Sequence, residues 1–256
     1  MEEAFRNREI RPVPVKTIDQ QALTALHRLR SGWMSERTAR LNAIRGHLRE
    51  FGLTIPVGAR NVIPALWEVL EDAETAVPEF LRPALASTAQ AIRDMEQHIL
   101  DIERQLRAVA RDDAVIQRLL TIPGVGLLTA TALVAFVGNV QRFSSGRRFA
   151  SYLGLTPREN SSGSRRRLGR ISKRGDVYLR MLLIHGARSV LQAAKKKATP
   201  DGLRAWALRL EQRCGHNRAA VALANKMARI VWAVWRQERD FHSQLLPDVP
   251  TGGGVH

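Results

Sequence analysis

The sequence contains a single cysteine, Cys214, in 256 residues. That excludes a disulfide framework and a cysteine-rich zinc site, and it suits a reducing cytoplasm. Aromatic residues are scarce at 5%, while Ala, Leu, Arg and Glu dominate long stretches. An all-β sandwich is disfavoured and a mainly α fold expected. No apolar run approaches the ~20 residues that span a bilayer, and the acidic start Met1-Glu2-Glu3 lacks a signal-peptide core. Secretion and membrane insertion are therefore not expected. Acidic residues are also in deficit: 24 Asp and Glu face 40 Lys and Arg, a net charge of +16, with a pI near 11.4. Such an excess points to a polyanionic partner, most often nucleic acid.

Residues 1–16 read as a polar lead ending in Arg11-Pro12-Val13-Pro14-Val15-Lys16, extended by its alternating prolines. Thr17 can cap a helix that runs to about Phe51, with Gly52 as its stop. Leu41, Ile44, Leu48 and Phe51 follow 3-4-3 spacing and give it a core face; Arg28, Arg30, Arg37, Arg40, Arg45 and Arg49 make it basic elsewhere. A loop around Pro56, Gly58 and Pro64 leads to a second helix ending before Pro78. From about Pro83 to Ala110, Ile92, Met95, Ile99, Ile102, Leu106 and Val109 step by 3, 4, 3, 4, 3. That short a/d seam fits a coiled-coil hairpin, a dimer helix, or an ordinary amphipathic helix packed on its own domain.

Beyond Arg111 the character changes. Residues 141–198 hold fifteen Lys and Arg opposed only by Glu159 and Asp176, a net +13, so the rest of the chain carries only +3. The positive charge is a local footprint. Two helices are expected after the basic segment, one ending at Lys195-Lys196-Lys197 and one from about Asn217 to Arg239. The tail from Leu246, with Pro247, Pro250 and three consecutive glycines, reads as disordered.

The sharpest local motif is Leu119-Leu120-Thr121-Ile122-Pro123-Gly124-Val125-Gly126-Leu127-Leu128. A helix should end near Leu120, a tight turn follow through Pro123, Gly124, Val125 and Gly126, and a second helix begin near Leu127. Glycines let backbone N–H groups approach a phosphate, and the helix N-terminus adds partial positive charge. The pattern looks like the hairpin of a helix-hairpin-helix motif, which binds DNA backbone without regard to sequence. A plain helix-helix turn with no ligand is the alternative. Ala132, Leu133, Phe136 and Val137 would form the buried side of the second helix.

Next, Ser144 is a good N-cap, Gly154 a good C′ residue and Pro157 a stop, implying a short helix with Arg147 and Arg148 at its start. A polar loop from Arg158 to Gly175 interleaves Gly and Ser with Arg165, Arg166, Arg167, Arg170, Lys173 and Arg174. This composition suits phosphate binding. It also suits, though less strongly, a serine nucleophile whose attack on phosphate is stabilised by guanidinium groups.

Metal-dependent phosphodiester chemistry needs converging carboxylates. Here the acids scatter along helices: Glu68, Glu71, Asp72 and Glu74; Asp94, Glu96, Asp101 and Glu103; Asp112 and Asp113. They read as solvated faces, and His27, His185 and His216 as lone histidines without a paired carboxylate in view.

The run from Leu119 to about Leu191 resembles the C-terminal transposase domain of the "insertion sequence 110" family, RNA-guided recombinases of bacterial mobile elements. The resemblance is carried by Ile122-Pro123-Gly124-Val125-Gly126, Phe143-Ser144, Tyr152-Leu153-Gly154-Leu155-Thr156-Pro157, Ser161-Ser162-Gly163, Gly169-Arg170-Ile171-Ser172-Lys173-Arg174-Gly175 and Leu179-Arg180. Upstream, Pro12-Val13-Pro14-Val15-Lys16, Gln20-Gln21-Ala22, His27-Arg28, Glu36-Arg37 and Glu50-Phe51-Gly52 also look like the family, so the likeness covers roughly residues 2–240.

The resemblance implies four regions: residues 1–52 as the remnant of a ribonuclease-H-like domain, 53–110 as helical linker and coiled coil, 111–243 as the transposase domain, and 244–256 as a tail. It implies a serine that links covalently to DNA phosphate; the family's Ser-Gly pair maps to Ser162, with Ser161 the near miss. The arginines around it then contact phosphate or RNA. It also implies a magnesium ion on four carboxylates of the ribonuclease-H-like domain, a structured guide RNA, DNA ends and target, and homo-oligomers built through the coiled coil. The sequence starts after the point where the last two of those carboxylates would lie, so the expectation is a nucleoid-associated DNA-binding chain inactive alone. A non-catalytic relic that competes or assembles with an intact transposase is the second expectation.

Overall fold

The computed structural model describes residues 15–162, 165, 167–196, 199 and 202–242. The lead as far as Pro14, the tail from 244, Gly163 and Arg166 lie outside these residues. The described chain is mainly α. Its helices are α1 (Ile18–Glu50), α2 (Val62–Glu71), α3 (Arg82–Asp112), α4 (Ala114–Leu120), α5 (Leu127–Val137), α6 (Gly146–Tyr152), α7 (Val177–Lys195), α8 (Gly202–Cys214) and α9 (His216–Gln237). Two short strands, β1 (Pro157–Glu159) and β2 (Leu168–Ile171), lie between α6 and α7. The chain divides into two compact units, Thr24–Arg107 and the remainder.

In the unit Thr24–Arg107, α1 and α3 run antiparallel. Arg30 pairs with Glu103 at 2.7 Å, Arg37 with Glu96, and Trp33 stacks on His98 at 5.0 Å. Leu41, Ile44 and Leu48 of α1 join Val62, Leu66, Leu85, Ala89 and Ile92 in one apolar core. Met95, Ile99, Ile102 and Leu106 continue the buried seam. It is therefore an intrachain hairpin. Val109, expected in the seam, is 41% exposed; the helix has by then entered the other unit, where its neighbour Ala110 is buried in the core with Ile116 and Leu119. Gly52, at φ +77°, ends α1 with Leu53 N–H donating to Leu48 C=O at 3.0 Å. Arg45 holds the following loop by donating to the carbonyls of Pro56 and Gly58, each at 2.8 Å. Pro64 sits in the first turn of α2, where its missing N–H costs nothing.

In the second unit, the start of α1 is a capping box: Thr17 Oγ1 accepts from Gln20 N–H, and Gln20 Oε1 accepts from Thr17 N–H, both at 3.2 Å. The core centres on α5, whose residues Thr129 to Ala135 and Val137 are all buried. A helix apolar on every side needs neighbours on every side; α4 and α7 pack on α5, and α9 packs on α4, α6, α7 and α8. Phe136 is only partly buried and packs against Tyr178, 5.8 Å between ring centroids. Sequence patterning does not anticipate α8, although Leu203 and Ala207 are fully buried on it.

Candidate nucleic-acid interface

The turn Thr121–Gly126 joins α4 to α5 as the motif requires, but its glycine serves packing first. Gly124 has φ +83°, and a Cβ there would meet Gly186 O and Val190 Cγ2 at 2.7 Å and Met227 Cε at 2.8 Å. Reciprocally, a Cβ on Gly186 would fall 2.0 Å from Gly124 O. Two glycines thus let the turn sit directly on α7. Ile122 and Val125 are buried anchors, and Pro123 and Gly124 are partly covered, so the turn offers solvent mainly backbone, at exposed Gly126.

Helix α6 begins one residue later than Ser144 suggests: Ser145 Oγ accepts from Arg148 N–H at 3.3 Å. The cap falls on Ser145 because its backbone is extended while Gly146 is already helical. At the other end Leu155 N–H donates to Ala150 C=O and Gly154 N–H to Ser151 C=O, a Schellman closure with Gly154 at φ +71°.

The expected polar loop is in part a β-hairpin. β1 and β2 pair antiparallel, Pro157 against Ile171 and Glu159 against Leu168, with a bulge between. Every residue of β1 is exposed, so no alternation marks it in the sequence. Beyond the strands Asn160 N–H donates to Arg167 C=O at 2.8 Å, and Arg165 N–H to Ser162 C=O at 3.2 Å. The base of the hairpin is fixed to α6: Ser172 N–H donates to Thr156 C=O, Lys173 N–H to Gly154 C=O, and a Cβ on Gly175 would lie 2.2 Å from Tyr152 O. Buried Arg180 of α7 ties the same corner, donating to Leu153 C=O at 3.3 Å and Gly175 C=O at 3.1 Å. The guanidinium there meets the negative end of α6, which helps offset its burial. Asp176 Oδ1 caps α7 through Leu179 N–H at 2.8 Å.

The two serines differ. Ser161 Oγ donates to Glu159 Oε1 at 2.8 Å and accepts from Arg167 N–H at 3.1 Å, so it is committed to the hairpin. Ser162 is exposed, and among the described residues its hydroxyl has no hydrogen-bond partner. Arg147, Arg148, Arg165, Arg167, Arg170, Lys173 and Arg174 are all exposed, and no described carboxylate pairs with them. The structure thus brings one free hydroxyl and a set of unpaired cations to one projecting hairpin and the helix it rests on. Arg142, outside those residues, lays its guanidinium over Phe143 and Tyr152 at 4.7 and 4.6 Å. The Arg-Phe pair at 142–143 and Tyr152 beyond it were the available signal.

Magnesium, which the resemblance implies, needs several converging oxygen ligands. Among the described residues no three His, Cys, Asp or Glu side chains converge, so these residues do not fit the ion. Asp113 instead caps α4, accepting from Val115 and Ile116 N–H. His216 is not unpaired as expected: its Nδ1 lies 2.7 Å from Glu211 Oε1, which also takes Lys195 at 2.9 Å. Hydrogen bonds from Lys195, then from His216, hold the Glu211 carboxyl below its ordinary range.

Comparisons with known proteins find transposases of insertion sequences. A model described as "Transposase IS116/IS110/IS902 family" matches residues 116–200, the stretch from α4 past the hairpin. The chain is 44% identical over 237 residues to a "Probable family 20 transposase" of Pseudomonas aeruginosa, covering 92% of this chain and 70% of that protein. It is 39% identical over 239 residues to the transposase for insertion sequence element IS1111A of Coxiella burnetii, covering 93% and 65%. Against the transposase for insertion sequence element IS1328 of Yersinia enterocolitica it is 40% identical over 225 residues, covering 88% and 66%. The chain spans about two thirds of the length of these relatives.

Proposed function

The chain belongs to the IS116/IS110/IS902 transposase family, and from that premise we propose that it is a DNA-binding chain carrying the nucleophilic serine of a strand-cleaving and rejoining reaction. The observation behind this is the contrast at the hairpin: Ser161 hydrogen-bonded, Ser162 exposed and free, with unpaired cations on both sides. Ser162 Oγ attacks the phosphorus of a phosphodiester. A serine O–P bond forms as the bond to a deoxyribose oxygen breaks, and that oxygen leaves as a hydroxyl carrying the proton the serine gives up. Attack by another strand's hydroxyl reverses the step, rejoins DNA and restores the serine. Arg165, Arg167 and Arg170 offset the charge that gathers on the phosphate oxygens during attack. Element ends and target DNA are the substrates; a structured guide RNA shares the basic surface. An oligomer built on the α1–α3 hairpin uses its outward residues, since the seam is filled within the chain.

A second reading, a non-catalytic binder that assembles with a complete transposase, is favoured by two facts. No described side chain stands against Ser162 to take its proton, and no described cluster fits a metal ion. One experiment separates the two. The full chain is incubated with an element-end duplex, magnesium and a complete transposase of the family whose own serine is replaced by alanine, and DNA linked to this chain is scored on denaturing gels. The catalytic reading predicts a linked species from wild type and Ser161→Ala that vanishes in Ser162→Ala, with binding within about twofold throughout. Tight binding with no linked species in wild type establishes the second reading.

A further inference from the structure

Positive charge does not stop at the hairpin. Helix α6 rests so closely on α9 that a Cβ on Gly146 would stand 3.2 Å from the Arg229 backbone. Arg229 is therefore beside the turn that carries exposed Arg147 and Arg148. Three residues earlier on α9, Lys226 lays its ammonium over the Trp206 ring of α8, 4.4 Å from the centroid. Arg209, three residues beyond Trp206, is near enough to act with Arg229 on the Lys226 charge. Burial first, then these two cations, lower the Lys226 pKa. Arg209 and Arg229 are exposed, and among the described residues no carboxylate pairs with any of the three.

Cations gathered without a counter-ion repel one another, and a partly buried ammonium adds a desolvation cost. An anion on this surface relieves both. We propose that Arg209, Lys226 and Arg229 form a second phosphate-binding ridge, continuing the DNA track from α6 onto α8 and α9. The ridge rests on the DNA-binding reading above and extends it to residues outside the basic segment 141–198. Its ligand is the phosphodiester backbone of a duplex. Trp206 holds Lys226 in place, so little side-chain freedom is lost when phosphate arrives.

The test is fluorescence anisotropy of the full chain on a labelled duplex, across salt from about 50 to 300 mM. Each phosphate contact on a duplex adds about 0.9 to the slope of log affinity against log salt. The triple variant Arg209→Gln, Lys226→Gln, Arg229→Gln is expected to flatten that slope by about 2 to 3. A matched triple at exposed Arg40, Arg49 and Arg60 controls for net charge and is expected to keep the wild-type slope. Lys226→Met, which keeps an apolar stem on Trp206, guards against loss of packing and should flatten the slope by about 1 with an unchanged melting temperature. An unchanged slope in the Arg209–Lys226–Arg229 variant, or an equal change in the control, overturns the ridge alone. Salt-insensitive wild-type binding overturns the DNA-binding reading, and the ridge with it.

Discussion

Replacing Arg165, Arg167, Arg170, Lys173 and Arg174 with glutamine is expected to weaken duplex binding by roughly 10³-fold at about 0.15 M salt. The figure follows from counterion release: five phosphate contacts contribute a slope of about 4.5, which is more than three decades between molar and physiological salt. These side chains project from the β1–β2 hairpin and the segment after it, are exposed, and pair with no described carboxylate. Removing their charge therefore breaks no internal contact, and the melting temperature should hold within a few degrees. Anisotropy on a labelled duplex measures the loss. A drop smaller than threefold in a folded variant would remove the hairpin from the interface.

Acidification is expected to weaken the α1–α3 unit through His27. This imidazole is fully buried. Burial first, then the nearby Arg30 charge, bring its pKa from the ordinary 6.5 down to about 4. The folded unit thus keeps His27 neutral, while the unfolded chain takes up a proton below about pH 6.5. Stability from this group is complete above pH 6.5 and is lost progressively as pH falls towards 4. A shift of this size corresponds to up to about 3 kcal/mol. Urea midpoints at pH 7.5 and 4.5 measure it for wild type and for His27→Leu, which cannot titrate. Wild type should lose up to about 3 kcal/mol more than the variant between the two pH values. Parallel losses would assign the acid sensitivity to other groups.

Much of the helical frame was legible because its signals are local. Thr17 marks the start of α1, Gly52 its end, Gly154 the close of α6, and Leu120 and Leu127 the two sides of the Pro-Gly turn. The patterning at Leu41, Ile44 and Leu48 and along the α3 seam found a true core. What escaped was set by distant partners or by weak local preference. Ser144 and Ser145 are equally good caps by type, and backbone geometry decides for Ser145. The strands β1 and β2 are short and almost wholly exposed, so they carry no period-two pattern. The seat of Gly124 on Gly186 joins residues far apart in the chain. Charge counting along the sequence located the hairpin yet passed over Arg229, which the packing of α6 on α9 brings beside the turn of Arg147 and Arg148, and over Lys226 and Arg209, which the packing of α8 on α9 brings near Arg229. At the candidate site, the resemblance mapped the proposed nucleophile to Ser162 with Ser161 as the near miss, and Ser161 is the one whose hydroxyl is hydrogen-bonded within the hairpin.

The central claim is that duplex DNA lies on the hairpin and α6. Hydrogen–deuterium exchange of the full chain, with and without a saturating duplex, tests it most directly, since it needs no substitution and locates the contact on the chain. Slowed exchange is predicted for amides at Arg147–Arg148 and from Arg158 to Arg174, with Thr24–Arg107 unchanged. Protection confined to Thr24–Arg107, with the hairpin exchanging as freely as before, would contradict it.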